Sequence, residues 1–335
     1  MDPVRKIADA VLYEGYLLWP YRRSTLKNRQ RWTFGGVYPR AHSEGRDDDP
    51  CRMHAECLLE APPEAVLDVQ VRFLQVVERQ LLAATAAGLV AVDELEVDDE
   101  SYLSWEEARE REVAAVGLRP GTLGEPHVLP VDVPAGSERE ELVDAQQRPA
   151  GEIARSWRTL EGELSVTATR LGPELWRVSL RVENTSPWAG GAREDALKQT
   201  FASTHAVLRV DRGGFVSLAD PPERLREEAA ACRNDGVWPV PVGEPGDRST
   251  ILCSPIILED YPRVAPESPG DLFDGGEIDQ LLTLSILGMT DEEKREMRAT
   301  DPRAREILER TEALGAEDLM RLHGAIRELQ EARRP

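Results

Sequence analysis

Alternation of apolar and polar residues dominates the middle of the chain and predicts antiparallel β-structure. The clearest alternation occupies 163–169 and 175–182, two segments joined by a short turn that contains glycine and proline. A period of two is typical of strands with one buried face and one solvated face. Further segments with this pattern are 54–60, 66–81, 201–210 and 214–218. The pattern predicts an α+β fold with an antiparallel β-sandwich-like core.

Helical spacing of apolar residues replaces this alternation at both ends of the chain. A stripe of apolar or small residues runs from Ile7 to Leu18 and is stopped by Pro20, which predicts an N-terminal helix. Near the other end, 290–293 matches a capping box, and 301–302 combines a capping aspartate with a proline in the first helical turn. We therefore expect a compact C-terminal helical unit.

Composition decides the assignment where periodicity is weak. The segment 105–116 is rich in Glu, Arg and Ala and predicts a helix, while 137–147 predicts a polar helix or an exposed arm. The charged segment 41–50, which contains Asp47, Asp48 and Asp49, predicts an exposed loop.

The chain divides into four parts on these signals. They are an N-terminal helix with a basic and aromatic segment at 1–50, an antiparallel β core at 51–218, a Pro/Gly-rich arm at 219–276, and the helical unit at 277–335. The proline and glycine content of the arm predicts that it lies over the core with little regular hydrogen bonding of its own.

Charge and cysteine content narrow the class of partner and the compartment. The chain has 41 Lys and Arg against 62 Asp and Glu, a formal net charge of −21, which disfavours nucleic acid and anionic lipid as partners. The longest apolar stretch near the start is too short to span a membrane and lacks the cleavage site of an export signal. Four cysteines are too few for a disulfide scaffold in 335 residues, so we expect a cytoplasmic protein.

A basic and aromatic segment near the start is the main candidate for partner binding. Positive charges alternate there with large aromatic residues, although the protein as a whole is acidic, and interface hot spots favour arginine and aromatic side chains. The candidate residues are Trp19, Tyr21, Arg22, Arg23, Arg29, Arg31 and Trp32. The alternative is that these cations pair with surplus carboxylates of the same chain.

Cys51, His54 and Cys57 offer three possible metal ligands within seven residues. The spacing does not match known zinc motifs, and on a strand it would place the two cysteines on one face and His54 on the other. We therefore expect a buried thiol pair, and keep a metal-binding protein or metal-dependent enzyme as an alternative.

Catalytic and cofactor motifs have little support in the sequence. There is no nucleophile elbow and no glycine-rich phosphate loop, so we expect neither a catalytic residue nor a cofactor. Ser203 and His205 are predicted on one face of a strand without forming a triad. A second alternative is a small-ligand-binding β-sandwich module that uses an exposed Trp176 or Trp188.

Three stretches of the chain have distinctive sequences: Leu12 to Trp32, Cys253 to Asp279, and the pair of segments 289–294 and 299–304. They resemble an uncharacterised bacterial protein family associated with gene clusters for nickel-iron uptake hydrogenases. The resemblance implies a non-catalytic accessory, assembly or structural protein that acts through protein-protein contacts. Its partner would be a hydrogenase subunit or maturation factor.

Overall fold

The computed structural model describes residues 3–13, 34–262 and 285–314. Its helices are α1 (Pro3–Tyr13), α2 (Arg40–Ser43), α3 (Arg193–Leu197), α4 (Arg226–Ala230), α5 (Asp291–Thr300) and α6 (Pro302–Glu312). Its strands are β1 (Arg52–Glu60), β2 (Leu67–Thr85), β3 (Gly88–Val92), β4 (Glu94–Val97), β5 (Glu100–Leu103), β6 (Trp105–Leu118), β7 (His127–Val133), β8 (Gly136–Val143), β9 (Pro149–Trp157), β10 (Leu160–Arg170), β11 (Leu175–Asn184), β12 (Ala202–Val210), β13 (Gly214–Val216), β14 (Trp238–Pro241) and β15 (Thr250–Ser254).

Two antiparallel sheets form the body of the protein. The smaller has the order β13-β1-β11-β10-β7, and the larger has the order β14-β15-β12-β2-β9-β8, with β3 and β6 added to β2. Buried residues of both sheets share one hydrophobic cluster, which includes Leu59, Phe73, Val166, Val178 and Leu208. The expected α+β class with a sandwich-like antiparallel core and helices at both ends is confirmed.

β2 organises the larger sheet because it is long enough to pair twice on each side. Its first part pairs with β12 and its last part with β9, while β6 and then β3 line its other side. Beyond the sandwich, Leu81, Val97, Leu142 and Ile153 form a separate small cluster under the β4–β5 hairpin. The two ends of β2 therefore belong to different hydrophobic clusters.

Three sequence predictions within this region need correction. The segment 105–116 is not a helix but lies within β6. Of the two alternatives for 137–147, the polar helix is wrong, because most of the segment belongs to strand β8, which is largely exposed. The described part of the Pro/Gly-rich arm, 219–262, does make regular hydrogen bonds, since β14 pairs with β15 and β15 pairs with β12. In each case pairing with a neighbouring strand outweighs the local preference of the sequence.

Helices from both chain ends pack on or beside the larger sheet. Val4, Ile7 and Val11 of α1 cluster with Val207 of β12 and Leu252 of β15. Near the other terminus the predicted capping box at Thr290 and the Asp301 cap are both present. None of the helices within the described ranges combines the length and apolar composition needed to cross a bilayer.

Candidate functional site

The basic and aromatic candidates from Trp19 to Trp32 lie outside the described residues. The residues that flank them in sequence are fixed to the sandwich. On one side, the Tyr13 hydroxyl donates to Glu110 Oε1 at 2.8 Å. On the other side, the Phe34 carbonyl accepts from Ser203 N at 3.2 Å, and Phe34 is 39% exposed. The candidate segment is therefore bracketed by two anchored positions.

A polar cluster joins the N-terminal helix to the larger sheet. Arg72 of β2, whose side chain is 3% exposed, pairs with Asp9 of α1 at 2.7 Å and with Glu110 of β6 at 3.1 Å. The Arg303 guanidinium of α6 stacks 3.1 Å from the centroid of the Tyr13 ring. Burial raises the pKa of Tyr13 above its ordinary value, so its hydroxyl stays a donor to Glu110. Residues from both ends of the chain thus share one set of contacts.

A second arginine of β2 anchors the C-terminal helical unit. The Arg79 side chain is 8% exposed, and its Nη2 donates to the carbonyls of Ala299 and Thr300, in the last turn of α5, at 3.1 and 3.0 Å. Its Nε donates to Leu103 O at 2.9 Å, and its Nη1 pairs with Glu107 at 3.0 Å. A cation here satisfies carbonyls that have no partner within the helix.

The segments that carry the family resemblance meet around this face. α1 includes Leu12 and Tyr13, where the first segment begins, and the second segment contributes Ile256 and Leu258 to the cluster beneath α1. Arg303, in the third, contacts Tyr13. Parts of the chain that are almost 300 residues apart in sequence therefore form one composite surface.

A network of four polar side chains, buried except at Arg193, lies between α2 and α3. Asp49 Oδ2 is 3.0 Å from His42 Nε2, and Arg193 pairs with Asp49 at 3.0 Å and donates to the Tyr38 hydroxyl. Burial disfavours the ionised form of Asp49, but hydrogen bonds from His42 and Arg193 outweigh it and hold the pKa of this carboxyl below its ordinary value. The prediction that 41–50 is wholly an exposed loop is wrong at Asp49, which is 4% exposed.

A cavity of about 170 Å³ adjoins this network. Its wall includes Gly35, Tyr38, Asp48, Arg52 and Arg193. Gly35 has a φ of 56°, and a Cβ there would lie 2.8 Å from Pro255 Cβ, so the backbone at this point requires glycine. No motif in the sequence indicates this cavity, because its residues come from separate segments of the chain.

Cys51, His54 and Cys57 do not converge on a metal site. Cys57 is buried in the main hydrophobic cluster together with Cys253, and burial raises the pKa of both thiols. The backbone of His54 instead forms an isolated antiparallel β-bridge with Asp235, and the His54 side-chain Nε2 lies 3.6 Å from Glu56. Within the described ranges, no group of three or more His, Cys, Asp or Glu residues is arranged to hold a metal ion.

Ser203 and His205 are both buried and do not form a catalytic pair. Ser203 has a φ of 51° at a bulge in β12, and its carbonyl, not its hydroxyl, lies 3.0 Å from His205 Nδ1. Trp176, expected at an exposed ligand site in one alternative, is 4% exposed and donates through its indole nitrogen to Ala61 O. Trp188 is half-buried and packs edge-on against His42.

Comparison with known proteins adds no family assignment. No protein-family model matches the chain, and no curated protein matches it. Among solved structures, the secretin InvG of the Salmonella SPI-1 type III secretion injectisome is similar at 10% identity over 61% of this chain and 50% of that one, with a TM-score of 0.09. That score does not indicate a shared fold.

Proposed function

We propose that this protein is a non-catalytic accessory or assembly factor that binds a protein partner belonging to a nickel-iron hydrogenase system. The partner would be a hydrogenase subunit or a maturation factor. The composite face supports the proposal: α1, the segment after β15 and the helical unit meet there, and each includes residues that resemble the hydrogenase-associated family.

Buried arginines of β2 hold a helix from each end of the chain, so β2 is a platform to which both are attached. Arg72 and Arg79 each bridge β2 to a helix at one end of the chain, and each is less than 10% exposed. Removing one partner of such a buried pair is costly, so the helices are held against the sheet. A platform of this kind suits the display of the segment 14–33, whose flanking residues it fixes.

The absence of disulfide bonds among the four cysteines supports a cytoplasmic location as part of the proposal. All four are free thiols, and Cys57 and Cys253 are buried in the core. Free thiols persist in reducing compartments, whereas disulfides form in oxidising ones.

Affinity purification from hydrogenase-expressing cells tests the proposal directly. A tagged full-length chain should retain a hydrogenase subunit or maturation factor, identified by mass spectrometry, and deletion should reduce hydrogen uptake. If the tagged chain retains no component of that system and deletion leaves hydrogen uptake intact, the proposal fails.

Charge-reversal variants then test the basic and aromatic segment. The double variant Arg22→Glu and Arg23→Glu should lose the partner, since arginines at interface centres contribute most of the binding energy. The matched control is Arg139→Glu with Arg148→Glu, because these arginines are 66% and 73% exposed and lie at the β8–β9 hairpin. Equal retention of the partner by both variants would exclude this segment as the interface.

A further inference from the structure

Several residues that line the cavity beside Tyr38 have hydrogen-bond donors that make no hydrogen bond with any described residue. The N–H groups of Gly35 and Gly36 make no hydrogen bond there, and Arg52 makes no ion pair with any described residue. Arg193 uses Nε and Nη2 for Asp49 and Tyr38, which leaves its Nη1 without a partner in the same ranges. Consecutive amides beside a left-handed residue form a concave anion-binding surface. The donor set therefore favours an anion.

The charges around the cavity favour a single negative charge on that anion. Arg52 and Arg193 line the cavity, but Asp48 also lies in its wall, and Asp49 pairs with Arg193. A dianion such as phosphate would be repelled by Asp48 more strongly than a monoanion. A carboxylate carries one charge, and its two oxygens can accept two parallel N–H hydrogen bonds from a guanidinium.

The cavity also has an apolar side, and the space is small. Val37, Pro50 and Met53 supply the apolar part of the lining, beside Thr204 and Gly236, and Val37 and Met53 are each 2% exposed. The volume of about 170 Å³ corresponds to about six water molecules at about 30 Å³ each. That is enough for a carboxylate with a short hydrocarbon group.

We propose that this cavity binds a short-chain aliphatic carboxylate. The carboxylate accepts from Arg52, Arg193 and the amides of Gly35 and Gly36, and the hydrocarbon packs against Val37 and Met53. The chemistry is shared by a free aliphatic acid and by the C-terminal carboxylate of a peptide that ends in an aliphatic residue. This inference does not depend on the proposed partner.

Titration of the full-length protein with isobutyrate, followed by calorimetry and by amide NMR, tests the proposal. We expect saturable binding with downfield shifts of the Gly35 and Gly36 amides. Isobutyramide has nearly the same shape but no charge, and its affinity should be lower by a factor of about ten or more. Inorganic phosphate should also bind more weakly than isobutyrate.

Two variants with opposite expected effects make the test independent of folding defects. Arg52→Gln should weaken isobutyrate binding about tenfold by removing a charged donor. Asp48→Asn should tighten it severalfold by removing a repelling charge. Arg139→Gln, at an exposed arginine of β8, is the matched control and should leave binding unchanged. If Arg52→Gln fails to fold, the tighter isobutyrate binding expected for Asp48→Asn still tests the proposal.

A peptide ending in valine, with either a free or an amidated C-terminus, separates the two sources. Tighter binding of the free-ended peptide than of isobutyrate assigns the site to a chain end, and binding of isobutyrate alone assigns it to a small acid. The proposal is overturned if neither carboxylate binds better than its amide, or if both variants leave the affinity unchanged. None of these outcomes bears on the segment 14–33, so partner binding is tested separately.

Discussion

At the scale of single residues, His205 is a fully buried imidazole beside a buried arginine. It lies directly opposite Arg72 in the β12–β2 pair, is fully buried, and has an Nε2 atom with no hydrogen-bond partner among the described residues. Burial is the main reason that the pKa of His205 is lowered to about 4; the Arg72 guanidinium also lowers this pKa, while the hydrogen bond to Ser203 O opposes the shift. The imidazole is therefore neutral at pH 7.

This burial should make folding sensitive to mild acid. The unfolded imidazole takes up a proton near pH 6.5, whereas the folded one does so only near pH 4. The unfolded chain thus binds more protons between these values, and stability falls as pH falls through that window. At about 1.4 kcal/mol per pKa unit, His205 should remove roughly 3 kcal/mol from the free energy of unfolding between pH 7 and pH 4.

Urea unfolding at several pH values measures this contribution. The variant His205→Gln cannot titrate in this range, so its free energy of unfolding should decline less steeply from pH 7 to pH 4 than that of the natural chain. The exposed His127 provides the control, because His127→Gln should leave the slope unchanged. Parallel slopes for the natural chain and His205→Gln would contradict the prediction.

Single residues also show what sequence analysis cannot detect. Asp49 stands in a run of three aspartates and reads as a surface residue, yet it is buried because Arg193, 144 positions away, pairs with it. The cavity nearby has the same origin, since Gly35, Arg52 and Arg193 come from separate parts of the chain. Only a motif local in sequence, such as the capping box at Thr290, was predictable.

At the scale of elements, local pattern predicted strands well where one face is buried. β10 and β11 alternate cleanly because one face packs in the sandwich and the other meets solvent. β6 was predicted as a helix because Glu, Arg and Ala favour helices in isolation. In the fold it pairs with β2 from Leu67 to Arg79, and that pairing fixes it as a strand.

The edge strand β14 shows how proline content and β-structure are compatible. Val242 N donates to Thr250 O, so the alternate residues Pro239 and Pro241 direct their backbone away from β15. Proline has no N–H, so the outward side of the strand lacks donors at these positions. Prolines on an edge protect a sheet from pairing with other chains. The prolines that suggested an irregular arm therefore belong to the edge strand β14.

The attachment of α5 to β2 should depend on Arg79. Arg79→Met would leave the carbonyls of Ala299 and Thr300 without this donor, in a buried site. We expect a loss of about 3 kcal/mol in the free energy of unfolding. Hydrogen exchange should also accelerate in 291–312 more than in the sandwich, because the lost contacts hold the helical unit.

Arg155→Met is the matched control for Arg79. Arg155 pairs with the same carboxylate, Glu107, at 2.7 Å, but it also pairs with Glu140, which is not part of the helical unit. Its replacement should cost about 1 kcal/mol or less, because its side chain is partly exposed. Unchanged exchange at 291–312 in Arg79→Met would show that other contacts hold α5 in place.

At the scale of the whole molecule, the two ends of the chain are joined through a few side chains. α1 packs on the outer face of the larger sheet, and α6 reaches the same place through Arg303. The sequence predicted a helix at each end but gave no indication that they meet, because β strands 1 to 15 separate them. Contacts over such sequence distances depend on the path of every intervening strand.

The contact between Tyr13 and Arg303 should couple the stabilities of these ends. Guanidinium stacking on an aromatic ring contributes about 1 kcal/mol, so a double-mutant cycle with Tyr13→Leu and Arg303→Met should give a coupling energy of about that size in urea unfolding.

Tyr13→Phe removes the hydroxyl that binds Glu110 but keeps the ring, and most of the coupling should persist. Arg310→Met, whose arginine pairs with Glu306 in the same helix, should show no coupling to Tyr13. A coupling energy of zero between Tyr13 and Arg303 would mean that the two ends pack independently. The composite face would then be two adjacent surfaces.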